Sequence, residues 1–148
     1  MHVTKRWAGR FALVAATALP ACGPSMHEVV VRDATVAHNT AALSLEAAQS
    51  TAALLYRTEQ VLVMERAAKA PGATRETVRE AVERVRADWR PVQEAFDRAR
   101  KAQAALAQAI RAGDDMGRIA DALGELITHQ TAAAAAVNAA RTRIGDEP

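Results

Sequence analysis

The fold is decided by the stretch Thr77–Ile110, "TVREAVERVRADWRPVQEAFDRARKAQAALAQAI". Val78, Val82, Val85, Trp89, Val92, Phe96, Ala99, Gln103, Leu106 and Ile110 follow one another at alternating spacings of four and three. A 3.5-residue period holds one apolar stripe against a partner helix along the whole length, which is coiled-coil patterning. Thr74 is placed to cap this helix. Glu80 with Arg84, Glu94 with Arg98 and Asp97 with Lys101 are i,i+4 pairs of favourable polarity on its wet face. Pro91 falls within the stripe. It removes one backbone hydrogen bond and crowds the carbonyl four residues earlier. Because the stripe continues in phase on both sides, a kink is expected there rather than a break.

Working outward, "KAPGAT" at Lys69–Thr74 and Gly113 punctuate the chain on either side. Upstream, no proline or glycine interrupts Met26–Lys69. One helix of about 65 Å is therefore expected at 1.5 Å per residue. Ser25 and Glu28 have the spacing of a capping box. The larger apolar residues here, among them Val29, Val36, Leu43, Leu54 and Val61, are filled between by alanines and are expected to form its seam. Downstream, Asp114-Asp115 offers a new N-cap. Met116, Ile119, Leu123, Leu126, Gln130, Ala133, Val137, Ala140 and Ile144 then repeat the three-four alternation.

These segments predict an all-α fold: an up-down-up antiparallel three-helix bundle, or coiled coil, of long helices over about 26–69, 75–112 and 115–144. Short turns at about residues 72 and 114 bring Trp89, Pro91 and Phe96 level with Ala52-Ala53 and with Thr131–Val137. Large rings then face alanines, which fills space without overpacking. Composition agrees: the 148 residues are a quarter alanine and 3% aromatic, with 7 glycines and 5 prolines.

The amino terminus has a different character. Lys5, Arg6 and Arg10 precede an uncharged run, Phe11–Ala21, which ends in "LPAC", Leu19–Cys22, with the chain's only cysteine. A basic start and a short apolar core form a secretory signal pattern, too short for a transmembrane helix of about 20 residues. "LPAC" resembles the lipobox of bacterial lipoproteins. The resemblance covers the first 23 residues and implies removal of the signal peptide 1–21. It also implies acylation of Cys22, with diacylglycerol on the thiol and palmitate-type chains, and membrane anchoring through residues 22–25 as a short tether. The bundle domain, 26–148, then stands in the periplasm. Gly23 follows the cysteine in place of the aspartate that retains such proteins in the inner membrane, so the resemblance places the protein at the outer membrane. Antiparallel helices would put Cys22 and the Gly113 turn at the membrane end, with residues 70–74 and 145–148 at the far end.

Removing residues 1–21 deletes Lys5, Arg6 and Arg10 and no acid, so 19 basic against 17 acidic residues becomes 16 against 17. The computed isoelectric point of 9.1 therefore carries no argument for nucleic-acid binding in the mature chain. A single cysteine excludes an internal disulfide. His27 and His38 are about 16 Å apart along one helix, too far for one metal, and His129 lies on another segment. Asp121 and Glu125 share a helical face, but no histidine or serine is placed to complete a catalytic set with them. No glycine-rich phosphate loop, "HExxH" or "CxxCH" occurs. No metal, cofactor or catalytic residue is expected. The expected role is a membrane-anchored, non-enzymatic structural or interaction module with an envelope protein partner. The alanine-rich faces of the first helix also leave room for a homodimer. The alternative is a ligand-binding or stress-sensing module with a groove near Trp89–Pro91.

Overall fold

Local chemistry sets where each helix begins. The computed structural model describes residues 25–146. α1, Met26–Lys69, starts at the capping box: Glu28 N–H donates to Ser25 Oγ (3.2 Å), and Ser25 N–H donates to the Glu28 carboxylate (2.7 Å). α2, Arg75–Ala112, is capped by Thr74 in a reciprocal pair with Thr77 (3.0 and 3.2 Å). It stops at Gly113, whose φ of 67° lies in the left-handed region that glycine adopts freely. The N–H of Asp114 then returns to the Ala109 carbonyl at 3.1 Å, satisfying an acceptor at the helix end. α3, Met116–Asp146, begins one residue later than expected because Asp115 stays outside the helix and caps it. Its carboxylate accepts from Arg118 N–H at 3.0 Å.

The three helices pack against one another pairwise, and no strand occurs among the described residues. The fold is an all-α three-helix bundle. Its core has two lobes. Near the start of α1, Ala34 and Ala41 meet Leu106, Ile119 and Leu126. Towards the other end, Leu45 and Ala52 meet Trp89, Phe96, Ala133 and Val137. The rings of α2 therefore face the alanines of α1 and α3, as expected from the turn positions. The expected seam of α2 holds in its middle, with Val85, Trp89, Val92, Phe96, Ala99 and Leu106 all buried. At the ends of α2, burial moves one residue along, to Ala81, Ala102 and Ala109, leaving Val78, Val82, Gln103 and Ile110 half-buried. The helix must face two partners, so its buried stripe is wider than a two-stranded seam.

Two expectations are corrected. α1 does not bury the larger residues expected to form its seam, of which Val29 alone is half-buried. Its inward face is Ala34, Ala41, Leu45, Ala52 and Glu59, while Val36, Leu43, Leu54 and Val61 are 55–70% exposed. The alanines win because α1 must fit against the rings of α2, and small residues permit the close approach. Pro91 lies on the solvent face of α2, not in the seam. The helix runs through it uninterrupted, and the Ala87 carbonyl that loses its donor is on an exposed residue, so its missing hydrogen bond is not a buried one. Of the expected surface pairs, Glu94–Arg98 forms at 3.4 Å. Asp97 instead pairs with Arg100, and Arg84 reaches the Glu80 carbonyl oxygen rather than its carboxylate.

Candidate functional site

The signal-peptide and lipidation candidates, residues 1–21 and Cys22, lie outside the described residues. Within them, the sequence candidates do not converge. His27 is exposed. His38 is half-buried, with its Nδ1 enclosed and unpaired. His129 sits in a separate shallow groove with Arg98, Lys101 and Glu125. Asp121 and Glu125 are both exposed. Among the described residues, no three His, Cys, Asp or Glu side chains stand close enough to hold a metal, and no helix is long and apolar enough to cross a membrane.

Two features do emerge, and the first is a polar clasp through the lobe farther from the start of α1. Glu59 of α1 is only 3% exposed, and it is the one charged residue buried among those described. One carboxylate oxygen, Oε2, accepts from Arg143 Nη2 at 3.0 Å and from the Trp89 indole Nε1. The other, Oε1, accepts from Arg143 Nε at 3.2 Å. The guanidinium fork thus grips the carboxylate two-handed, a geometry that gives direction as well as attraction. The three residues come from three different helices, so the clasp closes the bundle. Tyr56 adds an edge-on contact to Trp89 with centroids 5.6 Å apart, and its hydroxyl accepts from Gln60 Nε2 at 2.8 Å. Nearer the start of α1, Gln130 of α3 makes a second tie, donating to the Ala41 carbonyl and Ser44 Oγ of α1, each at 3.0 Å.

The sequence pointed to Trp89 but missed its charged partner Glu59 and the Arg143 that Glu59 binds. A signal for Glu59 existed: Leu45, Ala52 and Glu59 are seven residues apart, so an acid occupies a core heptad position. Arg143 precedes the expected seam residue Ile144 and gave no such sign. Chemically, the carboxylate is enclosed and three donors converge on it, so the clasp acts as a tie between helices.

Beside the clasp runs a groove of about 290 Å³ between α1 and α2, bordered by Gln49, Tyr56, Gln93, Asp97 and Arg100. Its floor is made by Trp89, Val92 and Phe96, which are 2–6% exposed. The groove is therefore shallow and polar-rimmed, and Pro91 does not line it.

The second feature is the outer face of α1. Seven of the nine exposed large hydrophobic residues among those described lie on this one helix: Met26, Val36, Leu43, Leu54, Val61, Leu62 and Met64. Such a face on a surface helix is unusual, because apolar residues all round mark a helix that is covered all round.

No known protein family, curated protein or solved structure matches the chain.

Proposed function

We propose that this protein is a lipid-anchored, non-enzymatic helical lipoprotein of the bacterial envelope, serving as a structural or protein-interaction module. The observation that carries the interaction role is the uncovered apolar stripe of α1, Val36 to Val61, which spans about 38 Å of helix at 1.5 Å per residue. The bundle behind it is held stiffly by the Glu59 clasp and the Gln130 tie, so the stripe is presented on a firm support. The anchor rests on the sequence: the basic start, the short apolar run and "LPAC" ending at Cys22. The outer membrane, with the domain facing the periplasm, is the compartment that Gly23 favours. The partner is an envelope protein or a further copy of the chain, and nucleic acid is not one.

The test is fractionation and detergent phase partition of the full chain beside Cys22→Ser. Wild type should enter the detergent phase as a processed, acylated species, and Cys22→Ser should remain unprocessed or enter the aqueous phase. Identical migration and partition of the two would refute the anchor.

A second role, binding of a small ligand or stress signal beside Trp89, is favoured by the groove between α1 and α2 and by its mixed Gln49, Gln93, Asp97 and Arg100 rim. Its shallow floor makes it the weaker of the two.

A further inference from the structure

From the shape and chemistry of its outer face, we infer that α1 pairs side by side with α1 of a second copy of this chain. The inference rests on the role of this face as an interaction surface and is independent of the anchor.

Position comes first. At 100° per residue, Val36, Leu43, Leu54 and Val61 fall within about 20° of one line down the helix. That line is opposite the buried face of Ala34, Ala41, Leu45 and Ala52. Two pairs in the line, Val36–Leu43 and Leu54–Val61, have the seven-residue spacing by which helices interlock knobs into holes. Ala47, between them on the same line, lets a neighbouring backbone approach closely. α1 thus carries two seams: a small-residue one that the bundle uses, and a large-residue one that it leaves in water.

The polar groups flanking the stripe are prepared for burial. Thr40, Thr51 and Thr58 lie along one side, and each hydroxyl donates to the carbonyl four residues earlier, at 2.9–3.0 Å. With those hydrogen bonds already made, covering the threonines strands no donor, and their methyl groups extend the apolar surface. Charge is nearly absent. Between Val36 and Val61 the exposed charged residues are Glu46 and Arg57, both on the side of the line away from the threonines.

Size and charge choose the occupant. The four stripe residues leave roughly 400 Å² of apolar surface exposed, within the size of the largest apolar patch on most monomers. With Ala47 and the threonine methyls included, a symmetric pair would cover about 1,000 Å² in total, the threshold that a specific interface clears. A lipid surface would call for a belt of lysine and arginine beside the stripe. The flanks instead mix Arg32, Asp33, Glu46 and Arg57, acids and bases in equal number rather than a basic belt. A two-fold pair also buries both stripes at once, leaving none exposed.

The experiment places a photoreactive benzoylphenylalanine at Leu54 in the full chain, in its own membranes, with the same group at exposed Arg90 of α2 as control. Irradiation at position 54 should give an adduct of twice the chain mass containing peptides of this chain alone. Leu43→Glu in the same chain should lower its yield at least tenfold. Leu43 is 70% exposed, so the variant should keep its helical circular dichroism. An adduct with a different protein would overturn self-pairing while leaving the interaction role intact. A yield no greater than at Arg90, or an adduct to lipid, would overturn both. Persistence of the adduct in Leu43→Glu would show that the stripe is not the contact.

Discussion

Replacing Glu59 by alanine should be among the most damaging single changes to this bundle. The substitution removes the acceptor of the buried Trp89 indole N–H and the carboxylate gripped by Arg143. An indole donor stranded in a site where Trp89 is 2% exposed costs about 1–3 kcal/mol. Breaking a fully buried ion pair costs about 3–5 kcal/mol. The Arg143 side chain is 36% exposed, however, and water takes up much of its loss, so about 1 kcal/mol is assigned to that half. The total is about 2–4 kcal/mol, or a fall in Tm of about 10 °C for a chain of this size. Glu59→Gln keeps an oxygen for Trp89 and gives up the charge-assisted grip, so it should cost about 1–2 kcal/mol. Replacing the whole clasp at once, with Glu59→Leu, Trp89→Phe and Arg143→Leu, should recover most of the loss, because no polar group is then stranded. The assay is urea unfolding followed by circular dichroism at one fixed protein concentration, since self-association would add to apparent stability. A loss below about 1 kcal/mol for Glu59→Ala would refute the reasoning. So would a double-mutant cycle between Glu59 and Arg143 with coupling inside the usual error of about 0.3–0.5 kcal/mol.

Two further substitutions test the backbone. Pro91 stands on the exposed face of an unbroken helix, so Pro91→Ala should stabilise by about 1–2 kcal/mol. It restores a donor for the Ala87 carbonyl, less the entropy that proline removes from the unfolded chain. A lower Tm would mean instead that proline shapes the packing of Trp89 and Val92. Gly113 holds a φ of 67° with open space where a Cβ would stand, so Gly113→Ala should cost about 1 kcal/mol from backbone strain alone. An unchanged denaturation midpoint would show that the α2–α3 turn adopts another conformation.

Helix number, caps, turns and the pairing of rings with alanines were legible in the sequence because each depends on local chemistry or on a period. Ser25 with Glu28 and Thr74 act on their own first turns, and Gly113 supplies its own left-handed φ. The α2 stripe repeats every 3.5 residues whatever lies opposite. The basic start and "LPAC" are likewise sequence facts, and the anchor proposed from them rests on residues before the described bundle. Two things depended on tertiary structure. One was which face of α1 turns inward. Its alanines and its larger residues both repeat at helical spacing, and only the bulk of Trp89 and Phe96 across the interface selects the small ones. The other was the Glu59–Trp89–Arg143 clasp, whose members are separated by 30 and 84 residues from the carboxylate they share. No local pattern pairs residues so far apart. Their meeting follows from antiparallel register, and the low-dielectric interior then requires that a buried carboxylate find its donors there.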